Sequence, residues 1–170
     1  MGTPTAVPMK SATVKLNAAL RELPNFTAHP GTRMPHHLAT INTPLTKAEW
    51  KAGHAEAMAG RLPQRVWTEI YLQTAYDPSV APAGALLMSV FSQYVPHTFA
   101  QGTWDDHRDA AGDLVLRSIG RFTSNIPEAE LPSRFEESGH VMAVADGLGG
   151  HEAGDVASRT ALITGLQLIL

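Results

Sequence analysis

The sequence predicts an α+β protein, and three observations support this class. Apolar residues make up 44% and charged residues 17% of the 170 residues, which is the composition of a folded globular chain. Before Pro96 the chain carries helix signals, whereas after it short apolar segments alternate with glycine-containing and acidic turns. This change predicts a proline-rich, mostly helical region over 1–95 and a second domain over 96–170.

The first region contains two helix starts with local signals. Ser11 is a suitable N-cap for a short helix over 11–22. Thr46 and Glu49 have the spacing of a capping box, and Pro63 cannot continue the helix that this box would begin. We therefore expect a helix from about 46 to 62.

The remainder of this region is less sharply patterned. Apolar residues over 64–75 recur at helical spacing and predict a further helix. Residues 83–95 are apolar without a clear period, so a buried helix and a buried strand both stay open. His29, His36 and His37 have no carboxylate at helpful spacing, and we do not expect a metal site there.

The second region predicts strands before a final helix. Residues after Pro96 are interpreted as a strand, an acidic turn and a second strand over 113–119. A polar loop is expected over 121–139, followed by a third strand that ends on Asp146. A helix is predicted from 151 to 170.

Charge and cysteine usage exclude several classes of protein. Thirteen basic and sixteen acidic residues leave a net charge of −3, and the basic residues form no stripe that would bind nucleic acid. The chain has no cysteine, which rules out disulfides and thiolate ligands. No apolar run is long enough for a signal peptide or a membrane span, so we expect a cytoplasmic protein without a membrane partner.

The glycine-rich turn behind Asp146, in VADGLGGHEAG, has three interpretations. A dinucleotide fingerprint requires a third glycine where Glu152 stands, and a Walker loop requires a lysine that is absent. A purely structural turn needs only the freedom of glycine. In the third interpretation Asp146 and the Gly147 carbonyl bind a divalent metal together with an acid from DDHRD at 105–109. Such a metal would activate a water nucleophile.

The segment VADGLGGHEAGDVASRTAL, from Val144 to Leu162, resembles the signature of the metal-dependent serine/threonine protein phosphatases of the PPM or type-2C family. The resemblance implies an incomplete β-sandwich with flanking helices, truncated at Leu170, and a phosphoprotein substrate. It also implies a binuclear Mg²⁺ or Mn²⁺ centre whose bridging hydroxide attacks phosphorus. The implied site residues are Asp146 and Asp109 for catalysis, with Asp146, Gly147, Asp109 and Asp106 at the metals.

Two positions depart from the family pattern. Arg108 stands where the family has a ligand glutamate, and Trp104 stands where it has a phosphate-binding arginine. Arg108 therefore marks a lost ligand, or takes over phosphate binding with Asp106 replacing the ligand, or simply points to solvent or pairs with Asp105 and Asp106. The resemblance accordingly leaves two hypotheses. One is an enzyme fragment that is inactive alone, and the other is a non-catalytic pseudophosphatase or remnant that acts as a binding module. The oligomeric state is not predicted.

Overall fold

The computed structural model describes residues 11–126 and the short strand at 141–143. Its five strands form one antiparallel sheet in the order β2-β3-β4-β1-β5. The strands are β1 (Ser11–Leu20), β2 (Ile41–Thr43), β3 (Trp67–Tyr71), β4 (Leu86–Pro96) and β5 (Val141–Ala143). The helices are α1 (Lys47–Met58), α2 (Gln73–Tyr76) and α3 (Trp104–Gly120), with 3-10 turns at Pro35–Leu38 and Pro78–Val80. The α+β class is confirmed, whereas the β-sandwich is not.

Strand β1 replaces the helix predicted over 11–22, and that prediction is wrong. Alternate residues, among them Leu16 and Ala18, are buried on the core face of the sheet, as a period of two requires. Leucine, alanine and glutamate are good helix formers, but differences in helix propensity amount to less than about 1 kcal/mol per residue. Pairing with β4 along nearly the whole strand, from Ser11 opposite Pro96 to Leu20 opposite Leu86, outweighs that preference.

Strand β3 likewise replaces most of the helix predicted over 64–75, which is also wrong. Thr68 and Ile70 are fully buried, whereas the residues between them are half-buried. Only the single turn of α2 is helical. The ambiguous segment over 83–95 is resolved as β4, which lies between β1 and β3 and hydrogen-bonds to both.

Helix α1 is confirmed together with its capping box. The Thr46 hydroxyl accepts a hydrogen bond from the Glu49 amide at 3.2 Å, and the Glu49 carboxylate accepts one from the Thr46 amide at 2.8 Å. Trp50 on the same helix packs against Trp67 and Tyr94, with ring centroids 6.2 and 5.6 Å away. The helix is therefore held by a local cap at its start and by aromatic packing along its length.

The capping box makes stability depend on pH. The pKa of Glu49 is lowered below its usual 4.5, first by hydrogen bonds from the Thr46 amide and hydroxyl and then by the charge of Arg121. Arg121 Nη1 lies 3.1 Å from Glu49 Oε1. A carboxylate with a lowered folded pKa stabilises the fold above its unfolded pKa and loses that contribution as pH falls through the folded pKa. We expect Glu49→Gln to lower the urea midpoint at about pH 7 and to have no effect at about pH 2.

The control for this measurement is Glu22→Gln, because Glu22 is an exposed glutamate just after β1. It removes the same charge without removing a cap, so its midpoint is expected to follow the native protein at both pH values. An equal loss for Glu49→Gln at neutral and acid pH would contradict the assigned role of the charged carboxylate.

Helix α3 replaces the acidic turn and the strand predicted over 113–119, and both predictions are wrong. Asp106 accepts a hydrogen bond from the Thr103 amide at 2.8 Å and so caps the start of this helix. Leu114, Val115 and Ile119 have helical spacing and are buried in the same core as the inner residues of β1, β3 and β4. The spacing of these buried residues is that of a helix and not the period of two that a strand requires.

The remaining predictions are tested only in part. The third strand is confirmed over Val141–Ala143, where β5 pairs with Asn17–Ala19 of β1. The loop expected over 121–139 is described only as far as 126, and the helix predicted from 151 lies outside the described residues. Within the part of the chain that the structure describes, no helix is long and apolar enough to cross a membrane.

Candidate functional site

The sheet has a second face, opposite the core, that carries polar and aromatic side chains. We call it the polar–aromatic face. The strand registers place Glu69, Phe91 and Lys15 in one row across β3, β4 and β1. The next row contains Tyr71, Ser89 and Asn17. The full set is Lys15, Asn17, Trp67, Glu69, Tyr71, Ser89, Phe91 and Gln93. Most of these side chains are half-buried, which leaves them partly accessible.

One row of this face is a chain of hydrogen bonds. The Gln73 amide nitrogen donates to the Ser89 hydroxyl at 2.7 Å, and that hydroxyl donates to Asn17 Oδ1 at 2.7 Å. Asn17 is only 2% exposed, so these bonds satisfy polar groups inside the sheet. Gln73 Oε1 is buried without a hydrogen-bond partner. The chain fixes the side chains of α2, β4 and β1 relative to one another.

The neighbouring row of Glu69, Phe91 and Lys15, together with the adjacent Tyr71, combines charged groups with aromatic rings. The Tyr71 hydroxyl donates to Glu69 Oε1, and this bond, followed by burial, raises the pKa of Tyr71 above its usual 10.0. The Tyr71 and Phe91 rings meet edge to face with centroids 6.1 Å apart. Lys15 Nζ lies 5.3 Å from the centroid of Phe91. A carboxylate therefore lies beside an aromatic surface that already holds one ammonium group.

The sequence did not predict these residues as a site, because 64–75 was predicted to be a helix. In WTEIY, the period of two places Trp67, Glu69 and Tyr71 on one side and the buried Thr68 and Ile70 on the other. Strand periodicity in this segment is the signal that would have brought the three side chains together.

The predicted metal-site residues that the structure describes lie on α3. Asp106 is engaged in the helix cap, and hydrogen bonds from the Thr103 amide and hydroxyl lower its pKa. Arg108 forms an exposed ion pair with Asp105, one turn away. Asp109 follows on the same helix. Among the described residues, no group of three histidine or acidic side chains is arranged to hold a metal ion.

The other half of that predicted site, Asp146 and Gly147, lies outside the described residues. The approach of Asp109 to Asp146 thus stays a prediction, as does the Mg²⁺ or Mn²⁺ centre. Of the alternatives for Arg108, the structure shows the exposed pair with Asp105. Trp104, at the position of the family's phosphate-binding arginine, packs edge to face on Phe99 at 4.9 Å. Its indole nitrogen donates to the His97 carbonyl at 3.2 Å, so its contacts here are structural.

The histidine cluster before β2 is built around one buried ring. His37 is fully buried, its Nδ1 accepts from the Met34 amide at 3.0 Å, and its Nε2 lies 2.9 Å from the Pro24 carbonyl. A carbonyl only accepts, so we assign the proton to Nε2. His36 is 4.4 Å away between ring centroids. Burial, followed by the electrostatic influence of the neighbouring His37 and His29, lowers the pKa of His36.

In the described part of the chain, the fold is a single antiparallel sheet of the α+β class. Helix α3 packs on its core face, whereas the polar–aromatic face carries polar and aromatic groups that Trp50 of α1 and Gln73 of α2 contact at its margin. Comparison with known proteins finds a rat protein named pyridine nucleotide-disulfide oxidoreductase domain-containing protein 2, 33% identical over 129 residues, which are 72% of this chain. The mouse protein of the same name is 32% identical over 129 residues. An uncharacterised protein of Mycobacterium tuberculosis is 30% identical over 103 residues, or 58% of this chain and 19% of its own length.

The chain spans about a fifth of the length of these curated relatives, 22% for the rat and mouse proteins. No protein-family model matches the chain, and no solved structure matches it. The relatives are thus similar over most of this chain, while this chain corresponds to a small part of each mammalian protein.

These comparisons overturn the phosphatase interpretation. The chain is similar to proteins named for an oxidoreductase domain, and no phosphatase family model matches it, so the predicted family and the predicted protein phosphatase activity are wrong. The pseudophosphatase alternative is wrong for the same reason. The resemblance depended on a short segment of mostly small residues, and a glycine-rich turn between strand and helix serves many purposes.

Proposed function

We propose that this chain is part of a pyridine nucleotide-dependent oxidoreductase, in which it forms a substrate-facing sheet. The observation that carries this proposal is the 33% identity over 129 residues to the rat protein named for a pyridine nucleotide-disulfide oxidoreductase domain. Because the chain corresponds to 22% of that relative, we assign nucleotide binding to the remainder of such a protein.

The topology of the sheet supports this division. Dinucleotide-binding units are built from parallel strands joined by crossover helices, with a glycine fingerprint at the first turn. The described strands pair antiparallel, and the glycine turn at 147–150 has Glu152 where the fingerprint needs its third glycine. The polar–aromatic face, with its half-buried charged and aromatic groups, has the mixture of side chains that orients small molecules.

The disulfide in the relative's name has no counterpart in this chain. The 170 residues contain no cysteine, whereas a redox-active disulfide requires two thiols. We therefore propose that these residues position a substrate and that any dithiol chemistry belongs elsewhere in the protein.

A graft tests the proposal. The segment of the rat relative that aligns with this chain is replaced by residues 11–126, and binding of NADH and NADPH is measured by fluorescence. We expect the graft and the rat protein to bind the same nucleotide with Kd values within about threefold, and this chain alone to bind neither. The expectation follows from assigning nucleotide contacts to the part of the relative that the graft retains.

The control graft carries Leu16→Asp, which buries an unpaired charge in the core of the sheet and is expected to prevent folding of the segment. Nucleotide binding by the isolated chain at the affinity of the rat protein would contradict the division of roles. A graft that is folded by circular dichroism but binds no nucleotide would overturn the proposed function.

A further inference from the structure

Glu69 is a half-buried carboxylate without an ionic partner in the described part of the chain. It lies in the middle of β3, between Trp67 and Tyr71 on the polar–aromatic face. Its hydrogen bond comes from the neutral Tyr71 hydroxyl, and none of the ion pairs among the described residues involves it. A partly desolvated carboxylate gains most from a cation that also donates hydrogen bonds.

The aromatic surface beside Glu69 suits such a cation. Phe91 lies directly opposite Glu69 on the neighbouring strand, and the Tyr71 ring meets Phe91 edge to face. The ammonium group of Lys15 already lies 5.3 Å from the Phe91 centroid. Aromatic faces attract cations through the negative potential above the ring. Glu69, Phe91 and the adjacent Tyr71 therefore combine a carboxylate acceptor with two aromatic rings, and the Phe91 ring already contacts an ammonium group of the protein itself.

We infer that Glu69, held by Tyr71 and flanked by Phe91, binds an organic ammonium ion with a flat apolar body. The ammonium donates to the Glu69 carboxylate while the apolar body packs on the two rings. Tyr71 bonds Glu69 Oε1 and so fixes the orientation of the carboxylate, which leaves Oε2 to accept from the ligand. This inference rests on the proposed function, because it takes the polar–aromatic face as the side on which a substrate lies.

Benzylammonium and benzyl alcohol are matched probes for this site. They share the ring and differ in the charge of the donor group. Titration calorimetry of the whole chain at neutral pH is expected to show that benzylammonium binds about tenfold more tightly than benzyl alcohol. One charge-assisted hydrogen bond changes an affinity by about this factor. Glu69→Gln keeps an acceptor for the Tyr71 hydroxyl but removes the charge, so it is expected to abolish the preference while benzyl alcohol binds as before.

Glu22→Gln is the matched control, since it removes the same charge from an exposed position outside this face. It is expected to leave the tenfold preference unchanged. Equal binding of the two probes by the native chain would overturn the inference. A preference for benzylammonium that survives Glu69→Gln would also overturn it, because Glu69 would then not be the acceptor. A preference that Glu22→Gln removes as fully as Glu69→Gln would overturn it as well, because the attraction would then come from net charge. Circular dichroism verifies that each variant is folded.

The nucleotide measurement on the graft separates this inference from the proposed function. Loss of nucleotide binding in the graft, with the ammonium preference of the chain intact, rejects the oxidoreductase proposal and keeps the binding site. Normal nucleotide binding without an ammonium preference rejects the site and keeps the oxidoreductase proposal.

Discussion

Gly60→Ala is expected to destabilise the protein by about 2–5 kcal/mol, because a left-handed backbone and a close contact coincide at this residue. Gly60 ends α1 with a φ of +73°, and a Cβ there would lie 2.5 Å from the Ala100 nitrogen. The Ala100 amide donates to the Gly60 carbonyl at 2.9 Å, which holds the two segments together. The Arg61 amide bonds to the Glu56 carbonyl, so the turn has the pattern of a Schellman motif.

The matched control is Gly84→Ala. Gly84 has a similar φ of +84°, but nothing lies within 4 Å of the Cβ that the substitution would add. The control is expected to cost only about 1–2 kcal/mol, the strain of placing alanine in the left-handed region. Urea unfolding followed by tryptophan fluorescence measures both variants. Equal losses would show that the contact with Ala100 contributes nothing and that strain alone makes glycine necessary at position 60.

Leu16→Ala is expected to cost about 2–5 kcal/mol, because Leu16 is completely buried at the centre of the sheet and its truncation leaves a cavity. The adjacent Lys15→Ala is expected to cost less than about 1 kcal/mol, since Lys15 lies on the polar–aromatic face and loses mainly its contact with Phe91. The two variants are compared by their urea midpoints, and both should leave the far-ultraviolet circular dichroism unchanged.

Equal effects of these substitutions would contradict the placement of consecutive β1 residues on opposite faces. Leu16→Val serves as a milder variant if the alanine protein does not fold, and it is expected to retain the order of effects. A small loss for Lys15→Ala beside a large loss for Leu16→Ala would show that the polar–aromatic face can be altered without loss of the core on its other side.

The features that were predictable from the sequence are those whose partners lie close together in the chain. Thr46 and Glu49 are three residues apart and recognise each other through the geometry of one helical turn. The end of this helix was placed too late, at Pro63, because α1 ends at Met58, where Gly60 takes the left-handed backbone of a Schellman turn. Composition likewise indicated a folded globular protein, because it measures how much apolar surface the chain has to bury.

The features that were mispredicted depend on partners distant in the chain. Asn17 lies opposite Ser89 only when β1 and β4 pair, and that pairing turned a weak helix signal over 11–22 into a strand. In α3, residues 113–119 were predicted as a strand, while burial against the sheet favours the helical spacing of Leu114, Val115 and Ile119. Short apolar segments fit both periods until their neighbours are known.

The candidate site shows the same division between local and long-range information. The sequence by itself determined the residue types, the absence of cysteine and the cap of α1, because each of these follows from composition or from a few adjacent residues. Only the tertiary structure decided that Glu69, Phe91 and Lys15 form one row, since they come from three strands whose register is set by antiparallel pairing. A shift of one residue in that register would turn the same side chains toward the core.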